Sequence, residues 1–285
     1  MGEPFIGSEA LAAGALTKGQ LATSHTRLFR DVYISRHSDV TAVDRATAGW
    51  LWSRRRGVVA GFSAAALHGS KWVEAMRPAE LIHDNRHRLG GLVVHTNTLE
   101  PDEIQTIAGV PVTIPARTAL DLACWYPTLA AVPAMDALTR ATDLKFADVE
   151  LLMQRYKGRR GLRRARVSMD LVDAGAESPK ESWLRLILIR ARLPRPKTQI
   201  RVYDELTGRV AYLDMGWEDL KVAAEYDGEH HQSDLRQYRH DAKRHEMLQR
   251  LGWIVIRVLA GDREPEIIRR VRAARARRTP LPTRQ

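Results

Sequence analysis

The sequence predicts a mixed α/β (α+β) protein with more than one domain. Along most of its 285 residues, stretches with helical spacing of apolar residues alternate with short strand-like runs. A chain of this length has room for about two or three domains that each bury a core. A stretch rich in charge and glycine between residues 155 and 175 predicts the boundary between a C-terminal domain and the rest.

Residues 1–42 predict short helices followed by a strand. Ser8 is placed to cap a helix, and Thr17 with Gln20 has the spacing of a capping box. Residues 28–36 then alternate like a strand. Short capped helices and a basic strand in so few residues predict a winged helix-turn-helix, with a small packing subdomain as the alternative.

Residues 43–170 predict a mixed α/β middle domain that ends in a basic linker. We expect a helical region over Asp44–Leu67, strand-like runs between residues 79 and 113, and helices after that. The segment Tyr156–Arg166, rich in arginine and glycine, predicts a linker that runs into a basic helix.

Residues 171–285 predict the element order α-β-β-β-α-β. Ser178, Pro179 and Glu181 have the arrangement of an N-cap, a first helical position and an acid three residues on, which starts a helix. The expected elements that follow are strands at Gln199–Tyr203, Arg209–Met215 and Leu220–Tyr226, a helix at Leu235–Leu251, and a buried strand at Trp253–Leu259. A basic helix is expected to close the chain.

Composition narrows the class of protein. The net charge of +11 attracts polyanions, although charge does not separate DNA from RNA or from an acidic protein. Glu3, Glu9 and the lack of a long apolar stretch near the start lead us to expect no signal peptide. We also expect no membrane span, since no run approaches the roughly 20 apolar residues that a span needs. Its single cysteine, Cys124, excludes an internal disulfide and a cysteine-rich zinc site. We therefore expect a cytoplasmic protein that does not contact a membrane. The sequence does not indicate its oligomeric state.

The segment Val222–His231 combines an apolar strand with acids and histidines. Strand residues alternate between faces, so Glu225 and Asp227 point the same way, about 6–7 Å apart. If the strands pair as a hairpin around Trp217–Asp219, Asp214 reaches the same face within about 5–8 Å. Carboxylate oxygens so placed suit Mg²⁺ or Mn²⁺, which makes Asp214 and Glu225 the predicted metal ligands.

Four further residues are candidates for the same catalytic site. Glu181 either caps its helix or reaches the metal from the helix face that packs on the sheet. Asp227 and His231, at the strand exit, are either a general base or exposed loop residues. Arg244 either lies beside the scissile phosphate or forms a surface ion pair.

Two arginine-rich segments are candidates for contact with a phosphate backbone. The first is expected on a helix face, and the second in the linker, where solvation alone is the alternative for both. The candidate nucleic-acid-binding residues are Arg54, Arg55, Arg56, Arg159, Arg160, Arg163 and Arg164.

The C-terminal motif residues follow a recognisable order: Ser178-x-x-Glu181, Gln199, Leu213-Asp214, Glu225-Tyr-Asp227, Asp241-x-x-Arg244 and Gly252-Trp253. In this they resemble the very-short-patch-repair-endonuclease-like domains of the PD-(D/E)XK nuclease superfamily. The resemblance implies a restriction-endonuclease-like sheet flanked by helices, with Mg²⁺ chemistry at the strand ends. Where the superfamily pattern has lysine, this chain has Asp227, so Arg244, Lys243 or His231 would have to do the work of that lysine.

Residues 1 to about 170 contain Gly61-Phe-Ser-Ala-Ala-Ala-Leu-His-Gly69 and Gly109-Val-Pro-Val-Thr-Ile-Pro-Ala-Arg-Thr-Ala-Leu-Asp121. With the winged helix, these segments resemble proteins related to the AbiEi family of antitoxins, which implies DNA binding. The predicted function is therefore that of a DNA-binding protein with a Mg²⁺-dependent endonuclease activity. The alternative is a non-catalytic transcriptional regulator or antitoxin, with a toxin or another protein as partner. An enzyme that acts on RNA is a third possibility.

Overall fold

The computed structural model describes residues 2–84, 89–228 and 235–279, with the backbone alone for 235–240. It confirms a mixed α/β protein. The chain divides into two compact units, residues 1–172 and 173–285. The predicted domains 1–42 and 43–170 both fall in the first unit. No helix in the described part of the chain is both long and apolar enough to cross a membrane.

The first unit begins with two short helices and a three-stranded sheet of order β1-β3-β2. The elements are β1 (Phe5–Ile6), α1 (Gly7–Ala12), α2 (Lys18–Ser24), β2 (His25–Phe29) and β3 (Val32–Ser35). The capping box of Thr17 and Gln20 is confirmed. The expected cap by Ser8 is wrong, because Ser8 lies inside α1 and its hydroxyl donates to Asp31, 2.6 Å away. The expected single strand is two strands, which turn at Asp31 in the left-handed region, with φ 64°.

A five-stranded sheet of order β6-β5-β4-β8-β7 forms the middle of the first unit. Its strands are β4 (Val58–Val59), β5 (Ala79–Ile82), β6 (Leu92–His95), β7 (Ile104–Ile107) and β8 (Val110–Thr113). The helices are α3 (Ala42–Trp52), α4 (Gly61–Leu67), α5 (Pro115–Trp125), α6 (Thr128–Ala141), α7 (Phe146–Arg155) and α8 (Leu162–Asp170). Apolar residues of α3, α4 and the sheet share one core, which includes Leu51, Ala64, Leu81 and Val112.

The expected continuous helical region over Asp44–Leu67 is interrupted by a turn. Helix α3 ends at Trp52, and the Ser53 hydroxyl then accepts a hydrogen bond from the Gly57 amide at 2.9 Å. Arg54 and Arg55 adopt left-handed backbone conformations, with φ 56° and 62°. These arginines therefore lie in a turn, and the prediction that they lie on a helix face is wrong.

The segment predicted to be a linker is packed against α5. Gly161 starts α8 with φ 94°, and a Cβ atom there would collide with the backbone of Cys124. Arg164 donates hydrogen bonds to the carbonyl oxygens of Ala123 and Cys124. Helix α8 is the predicted basic helix, and the division between the two units after residue 172 lies within the predicted range. The segment before α8 is anchored to the end of α5, however, and is not a free linker.

The second unit holds a four-stranded sheet of order β12-β11-β10-β9. Its elements are α9 (Pro179–Arg190), β9 (Lys197–Asp204), β10 (Arg209–Trp217), β11 (Val222–Asp227), α10 (Leu235–Arg250), β12 (Ile254–Leu259) and α11 (Glu264–Ala276). This is the predicted order, with a closing helix. Apolar residues of α9 and α11 pack with Met215 and Trp217, whereas Met247 and Leu248 of α10 pack with Leu213.

The sheet of the second unit separates into two pairs of strands partway along its length. Strands β10 and β11 pair only from Met215–Trp217 to Val222–Ala224. Beyond these residues β10 continues with β9 to Arg209, and β11 continues with β12 to Asp227. We call the opening between the separated parts of β10 and β11 the fork. The hairpin turn is at 218–221, later than the predicted turn around Trp217–Asp219, because Trp217 still pairs with Val222.

Candidate functional site

Asp214 and Glu225 lie at the base of the fork, immediately beyond the last β10–β11 residue pair, Met215 with Ala224. The Asp214 carboxylate accepts a hydrogen bond from the Tyr226 amide, with 2.9 Å between Oδ2 and N. A side chain therefore takes the place of a backbone carbonyl in the ladder at this point. The separation of the strands brings both predicted metal ligands to one place.

Asp214 lies in surroundings that disfavour its ionised form. Burial and the nearby charges of Glu181 and Glu225 raise its pKa to about 7, against the opposing effects of the Tyr226 amide and Arg244. Carboxylates that share a poorly solvated space resist ionisation together. Added positive charge would stabilise the ionised form, and shifts of this kind are concentrated at functional sites.

Glu181 performs the capping role that the sequence predicts, and its charge also affects the ionisation of Asp214. The Ser178 hydroxyl accepts from the Glu181 amide at 3.2 Å and donates to its carboxylate at 2.9 Å. The other carboxylate oxygen accepts from the Glu177 amide at 2.8 Å. The negative charge of Glu181 is also the second-largest cause of the raised pKa of Asp214. The two roles that the sequence left open are compatible.

Glu225 is buried, with 7% of its surface exposed, and it is paired with Arg244 of α10. The guanidinium donates to both carboxylate oxygens, at 3.1 Å from Nη1 to Oε2 and by a shorter bond from Nη2 to Oε1. The same Nη2 donates to the carbonyl oxygen of Tyr212, 2.7 Å away. Arg244 therefore spans the fork from β11 to β10 and forms a partly buried ion pair there.

The donor atoms at the fork suit a hard cation, but Glu225 is occupied. Carboxylate oxygens are the ligands that Mg²⁺ prefers. Both oxygens of Glu225, however, are engaged by Arg244. Among the residues that the structure describes, no group of three or more His, Cys, Asp or Glu side chains could hold a metal ion. A cation at Glu225 would compete with the guanidinium of Arg244 for the charge of this carboxylate.

The remaining predicted residues of this site lie farther along β11. Asp227, at the end of the strand, is half-buried, and its carboxylate is 3.8 Å from Nε of Arg257. His231 lies outside the described residues. Lys243, which the resemblance offers in place of a motif lysine, is exposed on α10.

The seven arginines predicted to contact nucleic acid have different environments. Arg54 pairs with Asp31 at 2.9 Å, and Arg55 makes two hydrogen bonds to Glu9, at 2.6 and 2.7 Å. Arg159 is almost fully buried and pairs with Asp121 at 2.5 Å. These contacts, like those of Arg164 with α5, join segments of the first unit that are distant in sequence. All of the seven except Arg159 are exposed, so Arg54, Arg55 and Arg164 combine exposure to solvent with these contacts.

Sequence analysis does not predict two features of the structure. One is a buried network in the first unit, in which Arg117 donates to Glu103 and Asp121. The spacing of Arg117 and Asp121, one helical turn apart, is its only signal in the sequence. The other is a cavity of about 380 Å³ between β10 and α10, which Arg209 and Arg244 help to line. The sequence carries no signal for it, because it depends on the fork.

Comparison with known proteins identifies relatives of unknown activity. No family model and no solved structure matches the chain. Two curated proteins of Mycobacterium tuberculosis, Uncharacterized protein MT2308 (strain CDC 1551 / Oshkosh) and Uncharacterized protein Rv2248 (strain ATCC 25618 / H37Rv), are each 31% identical over 177 residues. The match covers 61% of this chain and 64% of each relative. The chain is similar to these proteins over less than two thirds of their length.

Proposed function

We propose that this chain is a DNA-binding protein whose second unit hydrolyses phosphodiester bonds with the help of Mg²⁺ or Mn²⁺. The observation that carries the proposal is the position of Asp214. Its carboxyl group lies partly buried at the base of the fork, and this burial together with two neighbouring acids raises its pKa to about 7. A partly buried acidic cluster is stabilised by a cation, and the basic character of the chain favours a polyanionic substrate.

The residues at the fork would divide the work of hydrolysis. Asp214 and Glu225 would hold the cation, which when bound polarises the phosphate and lowers the pKa of a coordinated water. Asp227 or His231 would accept the proton of that water. Arg244 would neutralise charge on the phosphate, which gives α10 the part that a motif lysine plays in the superfamily that this unit resembles.

The first unit supports the DNA-binding half of the proposal. Helices α1 and α2 are followed by the β2–β3 hairpin, and the sheet order is β1-β3-β2. This arrangement agrees with a winged helix-turn-helix, in which the second helix enters the major groove. The exposed residues of α2 include Lys18 and Gln20, whose side chains can donate hydrogen bonds to bases or phosphates.

The test is to replace Asp214 by asparagine, which keeps the shape and an acceptor for the Tyr226 amide. Cleavage of duplex DNA in Mg²⁺ or Mn²⁺ should be lost, and DNA affinity should be retained. Asp219→Asn, in the exposed turn between β10 and β11, is the matched control and should cleave like the wild type. Undiminished cleavage by Asp214→Asn would refute the assignment.

One observation favours a second candidate, a non-catalytic regulator or antitoxin whose second unit binds DNA or a partner protein. Arg244 already neutralises Glu225, as a bound cation would. A fork closed permanently in this way would be a binding scaffold. On this alternative the wild type binds DNA but cleaves neither DNA nor RNA in either metal, and Asp214→Asn changes nothing except stability.

A further inference from the structure

The β10–α10 cavity lies beside the fork and has the character of an anion site. Its volume is about 380 Å³, and its lining residues are Arg209, Val210, Ala211, Tyr212, Arg244 and Met247. The charged groups among these six residues are two guanidinium groups, and none of the six is acidic. The remaining polar side chain is that of Tyr212. Two arginines around a small cavity suit a phosphate group, which accepts paired hydrogen bonds from a guanidinium.

Arg244 belongs both to this cavity and to the candidate metal site. An arginine has five N–H donors, and the contacts of Arg244 with Glu225 and Tyr212 use three of them. Glu225, in turn, has both oxygens committed to Arg244. Any anion that draws Arg244 toward the cavity therefore weakens the hold on Glu225.

We propose that the β10–α10 cavity binds a backbone phosphate of nucleic acid through Arg209 and Arg244, and that this binding frees Glu225 to take a cation. The proposal rests on the proposed function in assigning the cation to the fork. Phosphate and Glu225 compete for one guanidinium, whereas Glu225 without Arg244 is a buried carboxylate that needs a new positive partner. Binding of phosphate and binding of cation then assist each other, and each raises the affinity for the other by the same factor.

Through this coupling, the cation site at the fork depends on whether nucleic acid is bound. Without nucleic acid, Arg244 holds Glu225 and the cation site is incomplete. A phosphate in the cavity completes the site at the moment when a backbone lies beside it. Arg209 is thus a positioning residue for phosphate that the superfamily resemblance does not assign.

The first test measures phosphate binding alone, with the full chain and no metal. The probe is the dinucleoside monophosphate dTpdT, titrated by nuclear magnetic resonance. The wild type should bind it, and Arg209→Gln should weaken binding by about tenfold or more, because a charged hydrogen bond is removed. Arg201→Gln is the matched control, since Arg201 is exposed on the same hairpin outside the cavity, over the ring of Tyr203. No binding by the wild type, or equal weakening in both variants, overturns the proposal.

The second test measures coupling, with free Mn²⁺ followed by electron paramagnetic resonance. In the wild type, saturating dTpdT should raise the affinity for Mn²⁺, and Mn²⁺ should raise the affinity for dTpdT by the same factor. Arg244→Gln should bind Mn²⁺ more tightly than the wild type without the probe and should no longer respond to it. If Arg244→Gln does not fold, Arg244→Lys, which cannot make the paired contact, should change in the same direction. Equal Mn²⁺ affinity with and without the probe overturns the coupling.

Cleavage of duplex DNA, measured on the same preparations, separates the two proposals. Cleavage by a wild type that binds no dTpdT overturns the cavity assignment and leaves hydrolysis standing. Coupled binding of dTpdT and Mn²⁺ without cleavage supports the cavity assignment and contradicts hydrolysis.

Discussion

At the scale of single residues, the surroundings that make Asp214 a candidate for catalysis also lower the stability of the folded protein. Burial and the charges of Glu181 and Glu225 raise its pKa from 3.8 to about 7. Between these values the folded protein binds a proton that the unfolded chain releases, so folding opposes ionisation. Asp214 therefore destabilises the fold above neutral pH when no cation is bound.

The corresponding prediction concerns the pH dependence of stability. The contribution of Asp214 to the free energy of unfolding should fall as the pH rises from about 4 to about 7, by about 2–4 kcal/mol in total. Asp214→Asn should remove this fall and should be more stable than the wild type at pH values above about 7. Urea unfolding across this range measures it, with Asp219→Asn as control. Parallel curves for Asp214→Asn and the wild type would contradict the raised pKa.

The ion pair of Glu225 with Arg244 gives a second prediction. Glu225→Ala leaves a partly buried guanidinium without its carboxylate and should cost about 2–4 kcal/mol of unfolding free energy. Arg244→Ala should have a similar effect. Because the partner is already absent, the double variant should be more stable than the sum of the single effects by at least about 1 kcal/mol. Additive effects in urea unfolding would show that the pair contributes nothing.

At the scale of elements, local patterns predict what local forces determine. Thr17 and Ser178 are recognisable as helix caps in the sequence because a cap acts within three residues of itself. The alternation of apolar residues locates strands β9, β10 and β11 of the second unit, although β10 extends farther than predicted, to Trp217. The prediction for Ser8 is wrong because its partner, Asp31, lies 23 residues away.

The fork could not be predicted from the sequence. Strand alternation places Asp214 and Glu225 on strands, but the point where β10 leaves β11 depends on packing of helices on both faces of the sheet. The Arg244–Glu225 pair joins residues 19 apart for the same reason. Strand alternation is therefore enough to predict that Asp214 and Glu225 converge. It does not predict that the guanidinium of Arg244 lies between β10 and β11.

The junction of α8 with α5 gives a prediction at this scale. Gly161→Ala forces a left-handed conformation on an L residue and a collision with the backbone of Cys124. It should lower the free energy of unfolding by at least about 2 kcal/mol. Gly158→Ala, where a Cβ atom meets nothing within 4 Å, is the control and should be nearly neutral. Thermal unfolding compares them, and equal melting temperatures would refute the close contact.

At the scale of the whole molecule, the net charge of +11 does not act as a uniform field. Many arginines are neutralised by carboxylates, as Arg54 is by Asp31 and Arg55 by Glu9. Positive charge that remains exposed, such as that of Arg160 and Arg163, is what a polyanion would encounter. Counting basic residues in the sequence overestimates the surface that can contact nucleic acid.

A salt titration distinguishes the two classes of arginine. The DNA affinity of the wild type should fall steeply with salt. The double variant Arg160→Ala/Arg163→Ala should reduce the slope of log K against log salt by about 0.9 for each phosphate that the protein no longer neutralises. Arg54→Ala/Arg55→Ala should leave the slope unchanged and lower the melting temperature. Fluorescence anisotropy provides the measurement. A reduced slope for Arg54→Ala/Arg55→Ala together with an unchanged slope for Arg160→Ala/Arg163→Ala would contradict the structural role of the ion pairs.

The separation of β10 from β11 also affects exchange of backbone hydrogen with deuterium. The Tyr212 carbonyl points into the fork, where it meets Arg244, and the amides of Val210 and Tyr212 share that edge of the strand. The amides of Ala211 and Leu213 point instead toward β9. In heavy water, neighbouring residues of β10 should therefore exchange alternately fast and slowly. A ligand seated in the fork would slow the fast set alone, so this one strand can report occupancy.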